Sequence, residues 1–283
     1  MNRYTQSRAL WRYGLAAIVS TGINAVDLVH AQDSRFQTAP VSSKSAGPPN
    51  PTLLEDLVVA NRLVVNLGVM EIRGHVSVRH NGDPNRFLIS RAMAPELVAA
   101  TDIMEFDLDG NAIDHRGREI FSERYIHSEI YRARPDVMAI VHTHAPSLIL
   151  FSSSDSPLRP LFGGAAFIGN VGVPAFQYGT GGGGVGSPDL GKQLASTLAH
   201  GAAVLMRGHG SVIVGFSLPN VVGRLVALDT NARMETQILA MGSKPIYIVA
   251  RDDAPSTNND YAREWDAWKR KTQRMMKVDG SRK

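Results

Sequence analysis

Stretches that alternate apolar and polar residues, as a half-buried strand does, are interleaved along this chain with stretches whose apolar residues recur at helical spacing. That interleaving limits the fold more than any other feature, because sheet and helices must then be layered on one another. Leu53, Leu54, Leu57, Val58 and Leu63 predict a helix from Pro51 to about Asn66, with Gly68 where a C-cap would stand. Residues 75–79 and 86–90 predict two strands around the Asn81-Gly82 turn, and 103–107 a third. A helix is expected over 122–134, closed by Pro135, and a strand over 139–144. Ser187 and Pro188 supply an N-cap and a first helical residue. Residues 204–207 and 211–214 read as buried strands broken at Gly208-His209-Gly210, and 219–241 as a long helix stopped at Gly242. A last strand over 246–249 and a terminal helix over 261–276 complete the pattern. With no internal repeat, one α/β domain is the economical expectation.

Composition sets the outer limits. Of 283 residues, 43% are hydrophobic, too many for a disordered chain, yet no apolar run approaches the length of a membrane span. There is no cysteine, which excludes disulfides, thiolate metal sites, iron–sulfur clusters and thiol catalysis. Any metal must be held by nitrogen and oxygen. Residues 1–31 have the order of a secretory signal peptide: Arg3, Arg8 and Arg12, an apolar stretch from Leu15 to Ser20, then Val29-His30-Ala31 at a cleavage position. Cleavage would make the protein periplasmic or secreted; without it, the protein is cytoplasmic. Removing this leader takes three arginines and one aspartate, so the net charge falls from +4 to +2 and gives no electrostatic case for a nucleic-acid partner. Residues 32–51, rich in Ser and Pro, read as a flexible arm, 52–276 as the folded domain and 277–283 as a disordered tail.

Three of the nine histidines have unusual settings. His142 and His144 are two apart on a strand, so their rings project from one face. His209 lies between glycines, where backbone can turn sharply and a ligand can come close. Three neutral imidazoles with an open position suit a catalytic divalent cation; a pair of solvated strand histidines plus an incidental turn histidine is the plainer alternative.

Ser122-Glu123-Arg124-Tyr125-Ile126-His127, Arg134-Pro135-Asp136 and Ala139-Ile140-Val141-His142-Thr143-His144-Ala145 together resemble the signature of the class II aldolase/adducin superfamily. The resemblance runs from about Leu53 to Trp268. It implies a three-layer α/β/α fold around a central mixed, mostly antiparallel sheet. It also implies that His142, His144 and His209 bind one divalent ion per subunit, zinc or manganese, with Glu123 beside the metal as acid/base. A homotetramer with active sites at subunit junctions follows from the same resemblance. The other duty open to Glu123 is helix capping or dipole pairing in a first turn. His127, one turn further on, either orients Glu123 or substrate or is a buried structural histidine.

Departures from the sugar-phosphate members suggest the substrate. Where those members resemble one another in a phosphate cradle of small polar groups, this chain carries His75, Met93 and Phe121. An enlarged, partly aromatic pocket suits a planar or apolar acid better than a phosphate. Gly74-His75-Val76-Ser77, Ser90-Arg91 and Met206-Arg207-Gly208-His209-Gly210 are similar to a decarboxylase-like branch, which includes pyridine-dicarboxylate and hydroxy-carboxymuconic-semialdehyde decarboxylases. Arg91 is then a candidate carboxylate clamp or else a surface ion pair. His75 and Ser90 are candidate substrate contacts, His75 being alternatively a buried strand-end residue. The expected function is decarboxylation of a small hydroxy- or oxo-substituted carboxylic acid. An aldolase or epimerase acting on an unphosphorylated substrate, and a non-catalytic adducin-like interaction domain, are the alternatives. Gly179 to Gly184 fits a dinucleotide-binding pattern formally, but it follows no buried strand, and a loop near the metal is expected instead.

Overall fold

The computed structural model describes residues 44–179, 183–249 and 259–280, and the backbone of 36–37. The expected signal peptide, most of the arm and residues 281–283 lie outside the described residues. Strand β6 (Ala139–Thr143) shows how the layers are set, since it is buried along its whole length and its side chains alternate between two apolar clusters. Ala139 and Val141 pack with helices α1 (Pro51–Asn66), α3 (Pro146–Ser152), α5 (Leu218–Ala240) and α6 (Ala262–Gly280). Ile140 packs on the opposite face with α2 (Arg124–Ala133) and α4 (Pro188–Leu198). Strand β2 (His75–Arg79) repeats the rule, with Val76 and Val78 in the first cluster. Helices therefore cover both faces of one sheet, in three layers.

The sheet runs β4 (Ile103–Asp107), β3 (Arg86–Ser90), β2, β6, β9 (Gly210–Gly215), β8 (Ala203–Met206), β7 (Ala175–Phe176). Every pairing is antiparallel except β7 with β8. The mixed, mostly antiparallel sheet matches the expected fold class. A separate two-stranded ladder joins β1 (Phe36–Gln37) to β5 (Ile120–Phe121). Helix starts follow their caps: Asn50 accepts from the Thr52 amide ahead of α1, Ser187 from Leu190 ahead of α4, and Ser217 from Asn220 ahead of α5.

Some elements differ from expectation. Residues 246–249 form no strand; Ile246 and Val249 stand exposed, and the Ile248 amide reaches only the Pro160 carbonyl. Helix α3 lies outside the expected elements: Pro146 opens it, and Leu148 and Phe151, three apart, bury its one apolar face. Helix α6 continues through residues assigned to a tail. Of the arm, residues 44–50 are docked: Ser45 and Ala46 donate to Glu105, and Asn50 to Asn81. No helix among the described residues is long and apolar enough to cross a membrane.

Candidate metal centre

The centre lies at one end of the β2–β6–β9 ladder. Antiparallel register sets His75 opposite His142, and Ser211 opposite Thr143. His142 shares the α2 face with Ile140, and His144, just past the strand end, returns to the same side. His209 stands at the tip of the β8–β9 turn, where Gly208 takes φ +66° and the His209 amide donates to Met206. A Cβ on Gly210 would overlap the Thr143 carbonyl oxygen, so glycine lets β9 close against β6 beside the histidines. Glu123 precedes α2 as its N-cap, yet its side chain makes no capping bond. The capping alternative therefore fails. Its Oε1 instead accepts from the Val185 amide at 3.1 Å, and a Cβ on Gly184 would lie 2.9 Å from that oxygen. The described end of the glycine tract is thus packed against Glu123.

Glu123, His142, His144 and His209 each offer one donor atom, all within 4.8 Å of one another. The Nε2 atoms of His142 and His209 lie 2.8 and 2.9 Å from His144 Nε2. Glu123 oxygens lie 3.4 Å from His142 Nε2 and 3.5 Å from His209 Nε2. Ligands of a tetrahedral ion at about 2.1 Å stand roughly 3.4 Å apart, so this spacing suits one. The outward nitrogens strengthen the fit. His142 Nδ1 donates to the Ser211 carbonyl at 3.1 Å and His144 Nδ1 to Glu71 at 2.8 Å. Those bonds fix the tautomers that turn Nε2 lone pairs toward each other, an arrangement a shared cation relieves.

Burial dominates the electrostatics. It lowers the His144 pKa to about 3, keeping the ring neutral and able to bind a metal. Burial works to raise the pKa of Glu123, but the imidazoles of His142 and His209 outweigh it and hold the carboxyl well below its ordinary range. Behind the cluster, Tyr131, Ser77, His127 and His75 form a buried chain, with contacts of 2.8, 2.6 and 2.7 Å. Burial lowers His127 to about 3 and His75 well below its usual value. His75 Nε2 is left buried without a partner, its ring 4.4 Å from Phe121 and 5.1 Å from His142.

A cavity of about 350 Å³ opens beside the histidines, lined by Ile72, Arg73, Met93, Ala94, Phe121, Ser122, Glu123, His144, Gly183 and His209. Met93 and Phe121, read as replacements for a phosphate cradle, form part of its wall. The other substrate-contact candidates are placed differently. Arg91 is off this wall, its guanidinium bonded to Asp102 at 2.8 Å, so the ion-pair alternative describes it better than a clamp. Ser90 and His127 are buried outside the wall, and His75 lies one layer behind Phe121. Sequence reasoning missed Glu71, Arg73 and Tyr178, whose ring stacks on His209 with centroids 5.9 Å apart. Only Arg73 carried a signal, a charge two residues before His75.

Comparison with known proteins agrees with this geometry. The family described as "Class II Aldolase and Adducin N-terminal domain" matches residues 55–236. The decarboxylase tropJ of Talaromyces stipitatus is 29% identical over 72% of this chain and 88% of its own. A 3,4-dihydroxyphthalate decarboxylase of Rhodococcus jostii is 30% identical over 69% of this chain and 82% of its own. Among solved structures, an aldolase II superfamily protein from Pseudomonas syringae superposes with a TM-score of 0.68 at 25% identity, covering 81% of this chain and 95% of that one. The chain belongs to the class II aldolase and adducin family.

Proposed function

We propose that this protein is a divalent-metal-dependent carbon–carbon lyase that decarboxylates a hydroxy- or oxo-substituted carboxylic acid, aromatic or derived from ring cleavage. The observation that carries the reading is the convergence of Glu123, His142, His144 and His209 on one point at the floor of a largely apolar cavity. The similarity to decarboxylases, one acting on 3,4-dihydroxyphthalate, supports the choice among the family's reactions.

His142, His144 and His209 would hold the ion, zinc or manganese. When bound, it supplies positive charge beside the oxygen that gains electron density as the carbon–carbon bond breaks. Glu123, held ionised, begins as a base. It takes the proton of the substrate hydroxyl and returns that proton to the carbon that loses its carboxylate. The electron pair of the broken bond stays on the organic product and CO2 leaves. Ile72, Met93, Ala94 and Phe121 seat a flat ring and keep water from the carbon being protonated. His75, its Nε2 unpartnered behind Phe121, is the donor best placed to reach a substrate oxygen if that ring shifts.

The test is to load the protein with zinc or manganese and measure CO2 and aldehyde from hydroxy-substituted aromatic and ring-cleavage acids. CO2 release supports the reading, aldehyde without CO2 assigns an aldolase, and no bound metal at all assigns an interaction domain. We further propose a homotetramer, to be measured by light scattering. Exposed Val171, Ile246 and Val249 offer apolar surface for self-association. Export to the periplasm or medium is proposed on the leader alone and is checked by N-terminal sequencing.

A further inference from the structure

The cavity wall contains one arginine, Arg73, and no lysine. Among the described residues no carboxylate pairs with its guanidinium. Other arginines nearby are engaged: Arg91 by Asp102, and Arg118 by the carbonyls of Thr101, Asp114 and His115. Glu71, the acid nearest Arg73 in sequence, accepts from the Arg73 backbone amide at 3.1 Å and from His144 Nδ1 at 2.8 Å through the same oxygen. The turn holding Arg73 is pinned. The Gly74 amide donates to the Glu71 carbonyl, and a Cβ on Gly74 would lie 2.8 Å from the His142 carbonyl oxygen. Arg73 is thereby tied to the strand that carries a metal-ligand candidate. It also lines a second opening with Glu71, His144, Ile149, Gly208 and His209, so it stands between two mouths of the same centre.

We propose that Arg73 binds a second carboxylate of the substrate, one that survives the reaction, and that the site therefore selects dicarboxylic acids. The inference rests on the decarboxylase reading above and deepens it. A substrate with a single carboxylate would place that group at the bond that breaks, near the imidazoles, and leave the guanidinium without an anion. A dicarboxylate sets one acid group at the scissile bond and the other at the mouth. There the planar fork of arginine matches it bidentately, while the ring lies on Phe121 and Met93. Lysine, a point charge, would serve less well.

The experiment compares two product-like probes, 3,4-dihydroxybenzoate and catechol, which differ only in the retained carboxylate. Both are titrated calorimetrically into metal-loaded protein. The wild type should bind the carboxylate-bearing probe roughly two- to fivefold more tightly, the range expected for a charge pair at an exposed arginine. Arg73→Ala should erase that preference without loss of metal, Arg73→Lys should keep part of it, and Arg91→Ala should keep all of it. Both probes binding Arg73→Ala with the wild-type ratio would overturn the role of Arg73 alone. Neither probe binding the metal-loaded wild type would remove the aromatic-acid reading and this inference with it.

Discussion

Two of the three imidazoles of the centre are controlled from their far side. His142 and His144 donate through Nδ1 to a carbonyl and a carboxylate, leaving Nε2 free. His142→Ala or His209→Ala should abolish stoichiometric metal binding in elemental analysis. Glu123→Gln should retain the metal and lose turnover by about a hundredfold or more, a measure of proton transfer; activity near the wild-type level in that variant would release Glu123 from its role. His127 makes a pH prediction. Its folded-state pKa, about 3, lies below the unfolded value, so between the two the unfolded chain binds more protons. Stability should therefore be full above about pH 6.5 and decline as pH falls toward 3. At pH 5 this histidine alone accounts for about 2 kcal/mol. His127→Gln, which retains hydrogen-bonding groups but cannot titrate there, should lose correspondingly less stability between pH 7 and 5 in urea unfolding.

At the scale of elements, close approach of backbones positions the site. Gly210 lets β9 lie against the Thr143 carbonyl, and Gly223 on α5 leaves room for the Tyr261 ring of the same chain. The Tyr261 ring thereby packs within its own chain, against α5. Gly210→Ala should cost about 1–3 kcal/mol by forcing β6 and β9 apart. It should also weaken metal binding, since His142 sits on β6 and His209 immediately precedes β9. Gly163→Ala, where a new Cβ meets nothing, should change urea stability by less than about 0.5 kcal/mol. A comparable loss in both variants would show that the approach of β9 to β6 does not matter.

Across the whole molecule, the two faces of the sheet divide the work. The α1–α3–α5–α6 face holds a large apolar cluster that includes Trp265, and Lys269 and Gln273 of α6 reach Asp56 and Glu55 of α1. The α2–α4 face carries the buried polar chain, and the cavity opens at its edge. Trp265→Ala should thus destabilise by about 3–5 kcal/mol while metal stoichiometry holds at one per chain. Loss of metal in a variant that stays folded would show the faces to be coupled. Hydrophobic period, caps and turn residues are local signals. Accordingly α1, α2, α5 and strands β2, β3, β4, β6, β8 and β9 were legible in the sequence nearly to their ends, and α4 at its start. So was the set of one glutamate and three histidines, whose residue types suit a cation wherever they meet. The short strands β5 and β7 were not legible, because two residues carry no period and exist only through their partners. The same is true of charge. Arg91 and Arg73 are alike on the page, and only tertiary structure sets Asp102 beside one and an open cavity beside the other. Pairing between residues far apart in sequence depends on strand register and loop path, and those are properties of the packed molecule.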